Sequence, residues 1–526
     1  MSAHRDIRLL GDIPRIHARE RGSKPALLFE DRITTFADLQ GNTNRVANAL
    51  IGEGLQPQAR IGYLGKNSDH YFEVLYGAAK ANAVLVGINW RLAGPEIVYV
   101  LNDARAEVLF VGPEFSGVIG QIRHQLKTVR RVIAMEQPFD DWPAYETWRD
   151  AAGNTDPGVE VSRDDVAIQM YTSGTTGHPK GVMLPHKSIF ALFEHDNGKS
   201  GPWFRWAEDD ISFVGMPVFH IGGTGWAQHG LYNGATTVIH REYNPQDFLN
   251  AVESRKLSKV FLVPAAIQFA VQHPQARDTD FSSLKYILYG ASPIPLDLLR
   301  QAMETFGCQF VQQYGMTETT GTAVYLPPED HDPQGNKRMR GAGIPMPGTE
   351  VCIKGENNES LGPNQIGEIC MRGPVLMKGY WNLPEATAKT IDSEGWLHSG
   401  DAGYLDEDGY LFVHDRVKDM IVSGGENIYP AEVESAIFGH PAVADIAVIG
   451  VPSDRWGEEV KAIIVLKEGQ TATDRDILDH ARRNIAGYKV PKSVDFVAAL
   501  PRNPSGKILK KDLRAPYWQG RDRMIN

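Results

Sequence analysis

The strongest constraint on the fold lies in the first third of the chain, where short apolar runs alternate with helical patterns. Ala26–Phe29 and Arg32–Thr34 read as a hairpin around Glu30-Asp31. Thr35 is placed to cap a helix that carries Phe36, Leu39, Val46 and Leu50 largely at helical spacing. Arg60–Leu64 reads as a strand, Tyr71–Ala79 as a helix and Ala83–Ile88 as a strand, and the alternation runs on through Val108–Val111 and Val132–Met135. Repeated β/α alternation predicts parallel sheets covered by helices.

The pattern then changes twice. Between Gly341 and Gly379 Pro and Gly are dense, and the alternating stretches Glu350–Lys354 and Glu368–Arg372 predict an antiparallel β region. Beyond the charged run Asp415-Arg416-Val417-Lys418-Asp419 come strand-like Ile446–Val451 and Val460–Leu466 and helix-like Asp474–Asn484. The expected organisation is mixed α/β and α+β. A large N-terminal domain of helix-covered sheets with a β subdomain spans 1–415, and a small α+β domain spans 416–526. With 526 residues there is ample chain for several cores.

Charge excludes some functions. The net charge of −11 argues against a general nucleic-acid binder, which needs clustered Lys and Arg for the phosphate backbone. No apolar window long enough for a transmembrane helix and no signal-peptide core is seen, so a cytoplasmic location is expected. The three cysteines, Cys308, Cys352 and Cys370, are far apart in sequence and make no C-x-x-C pair. Zinc and disulfides are therefore not expected, and the thiols suit a reducing compartment.

The most informative string is Tyr171-Thr172-Ser173-Gly174-Thr175-Thr176-Gly177-His178-Pro179-Lys180-Gly181, set between two apolar runs. Small residues with free backbone N–H groups and hydroxyls wrap an anion, and Lys180 adds positive charge. It is not a Walker A loop, because Pro179-Lys180-Gly181 stands where Gly-Lys-Ser/Thr would be needed.

This string resembles the phosphate loop of the adenylate-forming superfamily: acyl-CoA synthetases, luciferases and peptide-synthetase adenylation domains. Further segments resemble that family's motifs, in the family's order. Gly290-Ala291-Ser292 resembles the adenine wall, and Gln313-Tyr314-Gly315-Met316-Thr317-Glu318 the second nucleotide motif. Trp396–Asp401 resembles the ribose segment. Arg416 and Lys418, followed by Ser423-Gly424-Gly425-Glu426, resemble the hinge and the first turn of a mobile C-terminal domain. Pro501–Lys507 resembles the loop with the catalytic lysine.

The resemblance implies that ATP, Mg²⁺ and coenzyme A are bound. It assigns Thr172–Gly177 and Lys180 to the phosphates, and Glu318 with Thr175 to Mg²⁺, for which a carboxylate is a suitable hard ligand. Tyr314 offers a face on which adenine stacks, and Asp401 with Arg416 would hold the ribose. Lys507 and Thr317 would stabilise the transferring phosphoryl group, since negative charge builds there. Met216–Trp226 resembles the acid-binding segment, with His220, Gly222, Gly223 and Trp226, joined by Gly290 and Gly315, as candidate substrate residues. His220 either orients the carboxylate or is a packed core histidine. The glycines are expected to leave side-chain volume free.

The implied activity is an AMP-forming acid–thiol ligase acting on a hydrophobic monocarboxylate, aliphatic first and aryl second. Loading of a separate carrier protein and luciferase-type oxygenation stay open, as does a homodimer.

Overall fold

The structure, a computed structural model, describes residues 6–172, 179–416, 419–423, 426–453, 455–502 and 507–519. Its first hairpin pairs Pro25–Phe29 with Arg32–Thr35. The helix Phe36–Gly52 follows at once, because the Thr35 side chain accepts from Asp38 N–H and the Asp38 carboxylate answers back. Phe36, Leu39, Val46 and Leu50 are all buried on that helix.

Two large sheets form the N-terminal part. One runs in the order Gly379–Tyr380, Lys180–Pro185, Val166–Thr172, Val84–Gly87, Arg60–Leu64, Ala106–Val111, Arg131–Ala134. Its strands are parallel from Val166–Thr172 onward and antiparallel at the Gly379 edge. The other runs from Ile344–Pro345 through Gly321–Leu326, Gln309–Met316, Tyr286–Gly290, Lys259–Leu262, Ile211–Val214 and Thr236–Ile239 to the first hairpin. A continuous core joins the two, and helix Asp69–Lys80 is buried along its whole length within it. Such a helix must satisfy its polar groups internally. Lys80 donates to Gln40, Thr43 and Asn44 at 2.6–2.7 Å, and burial lowers its pKa to about 7.

The Pro- and Gly-rich region forms a third sheet, antiparallel, in the order Glu350–Lys354, Gly367–Arg372, Leu397–Leu405, Leu411–Arg416. Here Cys352 and Cys370 are direct cross-strand partners. Their separation in sequence is thus no separation in space, which corrects the expectation drawn from spacing alone. Both are free thiols. Arg416 is still in register with Asp401, so this sheet ends one residue past the boundary expected at 415.

The C-terminal residues make their own α+β unit. Strands Ile421–Ser423, Glu426–Ile428, Val443–Ser453, Gly457–Leu466 and Ser493–Phe496 pack under helices Pro430–Phe438 and Asp474–Asn484 around a separate core. The unit touches the larger part through Phe438, packed on the main core, and through Gln268 Nε2, which donates to Ala444 O at 2.6 Å. Among the described residues no helix is long and apolar enough to cross a membrane.

Candidate active site

The phosphate and metal candidates converge where strand ends from both large sheets meet. Thr172 closes strand Val166–Thr172 and is paired with Lys180 on the next strand. Glu318 sits in a tight 3₁₀ turn, Thr317–Thr319, directly after strand Gln309–Met316. The Thr319 hydroxyl locks that turn, accepting from Met316 N–H and reaching the carbonyls of Met316 and Gly321. Glu318 is buried, 5% exposed, and is held in place. Its Oε1 accepts from the Tyr380 hydroxyl at 2.9 Å and from Thr172 Oγ1 at 3.4 Å, and its backbone carbonyl accepts from Met377 N–H. Lys180 Nζ lies 4.7 Å from the centre of the Tyr380 ring. A fixed carboxylate beside a lysine and two hydroxyls is a donor set that suits Mg²⁺ and phosphate together.

Tyr380 was not singled out from the sequence. It lies on the two-residue strand Gly379–Tyr380, paired with Val182 and Met183, and this pairing delivers its hydroxyl to Glu318. The Gly379-Tyr380-Trp381 string offers no signal of that role without the strand register.

The nucleoside candidates are brought together as well. Strands Tyr286–Gly290 and Gln309–Met316 are parallel neighbours with Gly290 opposite Gln313. A Cβ on Gly290 would stand 2.1 Å from the Gln313 carbonyl oxygen, and one on Gly315 would stand 1.8 Å from that of Gly321. Both glycines are required by backbone approach. Ala291 turns the chain out of the sheet at φ +69°, a left-handed conformation that alanine tolerates poorly. Ser292 follows it, half-buried. Tyr314 Oη donates to Asp401 Oδ2 at 2.7 Å, so the stacking candidate and the ribose candidate are one hydrogen-bonded unit.

Ser173, Gly174, Thr175, Thr176, Gly177, Lys418, Gly424 and Gly425 lie outside the described residues, as do the side chains of Arg416 and Glu426. Ser423 is in the C-terminal unit, paired with Glu426 and Gly457.

On the acid side His220 caps helix Ile221–Tyr232. Its Nε2 is buried without a hydrogen-bond partner among the described residues, and its ring leans on Phe219 at 4.4 Å. Burial, then the positive charges of Lys507 and Arg91, lower its pKa to about 4, so the imidazole is neutral at pH 7. The exposed Lys507 is thus near enough for its charge to bear on His220. It directly precedes Ile508, which bridges Arg502, while Leu509 N–H donates to Pro501 O and Arg502 is held by Asp445 at 2.6 Å. Arg91, stacked on Trp90 at 4.2 Å, is a second residue not foreseen. Its cation arrives from a segment some 130 positions upstream of His220.

The expected free volume at the glycines needs correction. A Cβ on Gly223 would meet the carbonyl oxygens of Pro217 and Met216 at 2.3 and 2.6 Å, because the helix start folds back on the loop before it. Gly223 is a packing glycine and opens no pocket. Trp226 is also a core residue, 6% exposed, donating its indole N–H to Phe213 O at 3.0 Å. The half-open face of the helix consists of Ile221, Gly222 and Gly225, with Phe261 3.2 Å from where a Gly222 Cβ would stand.

Residues 15–381 match the AMP-binding enzyme family and residues 432–507 match the AMP-binding enzyme C-terminal domain. A fatty acid–[acyl-carrier-protein] ligase, ScoC, of Streptomyces coeruleorubidus is 40% identical over 99% of this chain and 99% of its own. A feruloyl-CoA synthase of an Amycolatopsis species is 40% identical over 97% of this chain and 99% of its own. Among solved structures, the anthranilate CoA ligase AuaEII in complex with anthranoyl-AMP superposes with a TM-score of 0.90 at 28% identity, covering 98% of this chain and 99% of that one.

Proposed function

The chain belongs to the AMP-binding enzyme family, and from that premise we propose that it activates a hydrophobic monocarboxylic acid, a fatty acid ahead of an aryl acid, and passes the acyl group to coenzyme A. The observation that supports this reading is a half-buried His220, held neutral by burial and by the charges of Lys507 and Arg91, beside the half-open face of Ile221, Gly222 and Gly225. A carboxylate seated there finds two cations, Lys507 and Arg91, near its head and apolar surface along its tail.

In the first half-reaction a carboxylate oxygen attacks the α-phosphorus of ATP, the bond to the pyrophosphate oxygen breaks, and acyl-AMP forms. Lys507 offsets the charge that gathers on the phosphoryl oxygens. His220 Nε2, without a hydrogen-bond partner among the described residues, is poised to hold a substrate oxygen or an adjacent water. Tyr314 and Asp401 seat the nucleoside, while Thr172 and Lys180 face the phosphates. Mg²⁺, held by Glu318 and Thr175, would supply charge neutralisation at the phosphates. In the second half-reaction the coenzyme A sulfur attacks the acyl carbonyl and AMP leaves. Under this reading Lys507 serves the first step, so the second calls for rotation about Lys418, which would bring Ser423–Glu426 in its place.

The likeness to ScoC favours a second reading for the acceptor, a carrier-protein thiol in place of coenzyme A. Both acceptors present a phosphopantetheine thiol, and the adenylation machinery is common to both. A pyrophosphate-release screen across saturated acids of rising length, ferulate, anthranilate and dicarboxylates, each with coenzyme A or a phosphopantetheinylated carrier protein, decides both points. Release confined to dicarboxylates or amino acids overturns the substrate proposal. Thioester formed on the carrier alone moves the acceptor to the second reading.

A further inference from the structure

The antiparallel sheet carries a second cluster of reactive side chains. Cys352, Cys370 and His398 are direct partners across three adjacent strands, Cys352 with Cys370 and Cys370 with His398. Direct partners point to one face of a sheet, and Glu368, two residues before Cys370, shares that face. Cys370 Sγ lies 3.5 Å from His398 Nδ1, and His398 Nδ1 lies 2.7 Å from Glu368 Oε2. The three ligand atoms all fall within 4.8 Å of one another. Cys352, the direct cross-strand partner of Cys370, sets a second sulfur on the neighbouring strand, outside the three atoms that fall within that distance.

We propose that Cys370, His398 and Glu368, with Cys352 as the fourth donor, form a binding site for a zinc-class divalent transition-metal ion. The donor set is two sulfurs, one imidazole nitrogen and one carboxylate oxygen. That mixture suits Zn²⁺ or Co²⁺ and is poor for Mg²⁺ or Ca²⁺, which take oxygen. Geometry agrees at the central pair. A tetrahedral ion with metal–sulfur and metal–nitrogen bonds of about 2.3 and 2.0 Å has an S···N edge of about 3.5 Å, and Cys370 and His398 are 3.5 Å apart. Glu368 has to retreat from His398 by a fraction of an ångström, exchanging its hydrogen bond for a metal bond. Each thiol that ligates gives its proton to solvent.

The surroundings have the second layer that a metal-bound histidine needs. With Nδ1 toward the ion, His398 Nε2 faces Asp392 Oδ2 at 3.4 Å, and Asp392 Oδ1 is fixed by the backbone N–H groups of Glu394 and Trp396, both at 2.9 Å. A carboxylate behind the imidazole sets its tautomer and raises its basicity. Lys354 is the neighbouring cation, and its charge is engaged by Asp392 at 3.4 Å and Glu394 at 3.7 Å. A histidine bridging two carboxylates would account for Glu368 and Asp392, but it would leave the approach of the Cys370 sulfur to His398 Nδ1, with Cys352 on the strand beside it, without a purpose.

The position links the cluster to the nucleotide side. His398 and Asp401 share strand Leu397–Leu405, and Glu368 Oε1 accepts from Gly400 N–H at 2.9 Å. An ion held here stiffens the turn that presents Asp401.

The test is Co²⁺ titration of the full-length chain, purified with chelator and reductant and then freed of both. The readout is the thiolate-to-cobalt charge-transfer absorption in the near ultraviolet, followed by displacement with Zn²⁺. One equivalent of Co²⁺ is expected to saturate the band and Zn²⁺ to abolish it. Cys370→Ser and His398→Gln are expected to lose the band, and Asp392→Asn to weaken binding about 10–100-fold. Cys308→Ser, altered outside the cluster, keeps it. Thermal melts show which variants are folded, and Cys352→Ser replaces Cys370→Ser if the buried position is not tolerated. The proposal is overturned if the reduced wild type gives no charge-transfer band, if the band survives in Cys370→Ser or Cys352→Ser, or if the two thiols form a disulfide and the re-reduced protein takes up no metal.

Discussion

The two halves of the active site are built on opposite plans. On the nucleotide side the candidate groups are already joined to one another: Tyr314 to Asp401, Glu318 to Tyr380 and Thr172, Thr319 across its own turn. On the acid side the central group, His220, has a buried nitrogen with no hydrogen-bond partner among the described residues and two positive charges bearing on it. The described groups of the first half are joined before any ligand arrives, which costs little reorganisation when phosphoryl charge develops. Under the proposed function, a carboxylate would bring the second half an acceptor and a negative charge. A buried polar atom without a partner costs free energy in the empty enzyme, and substrate binding can recover it.

The largest effect should come from the cation proposed to act on the transferring phosphoryl group. Lys507→Ala is expected to slow adenylation by about 10²–10³-fold, the range for removing one preorganised electrostatic group. Thioester formation from supplied acyl-AMP should be largely spared. Single-turnover pyrophosphate release and acyl transfer, measured separately, check this. Equal loss of both would deny Lys507 a role specific to the first step.

The acid side should also show itself as a dependence on pH. His220 has its pKa lowered to about 4, against about 6.5 for an unfolded histidine. The unfolded chain therefore binds a proton at higher pH than the folded one does. The neutral form's contribution is fully present above about pH 6.5 and is lost as pH falls toward 4, with about 2 kcal/mol gone by pH 5. His220→Asn removes this dependence, so its melting temperature should fall less than that of wild type between pH 7.5 and 5. An identical fall in both proteins would show that His220 is not held neutral.

These contrasts explain what was legible in the sequence. The β/α alternation, the Thr35 cap and helix Asp474–Asn484 follow from local rules, periodicity and capping, and the structure has them. Glu318, Tyr314 and Asp401 come from short motifs: Glu318 follows directly on the strand that carries Tyr314, and the Tyr314 hydroxyl reaches Asp401 across to another sheet. Tyr380 and Arg91 were not legible, since each reaches its place through strand pairing or packing across a long stretch of chain. The same limit hid the Cys352–Cys370 pairing. Gly223 misled for a different reason: a glycine in sequence does not say whether the missing side chain leaves space or is excluded by backbone.

Tyr380 sharpens the comparison from the nucleotide side. Tyr380→Phe keeps the ring beside Lys180 and deletes only the hydroxyl on Glu318. A hydrogen bond to a charged group is worth about 1.5–3 kcal/mol, so the Mg²⁺ concentration for half-maximal adenylation should shift by about tenfold, with the fold intact by circular dichroism. The direction depends on what Glu318 does without that bond: a wandering carboxylate binds Mg²⁺ less well, and an increase is expected. An unchanged Mg²⁺ dependence would detach Tyr380, and with it Glu318, from the metal.

The smallest effect tests where the acyl tail runs. Gly223→Leu does not test this, because its Cβ would collide with the Pro217 and Met216 carbonyls and should destabilise the helix start whatever the acid. Gly222 is the better probe. Its Cβ would stand 3.2 Å from Phe261 on the half-open face, close enough to narrow the space and far enough to be accommodated by a small ring shift. Gly222→Ala adds one methyl group, and displacing one methylene of substrate from apolar contact forfeits ~0.8 kcal/mol, about fourfold in kcat/KM. The loss should fall on acids long or broad enough to reach Phe261 and spare the shortest ones. A uniform loss across all acids would mean that the methyl group disturbs His220 and the helix start. No loss for any acid would place the tail elsewhere and remove Gly222 and Phe261 from the acyl site.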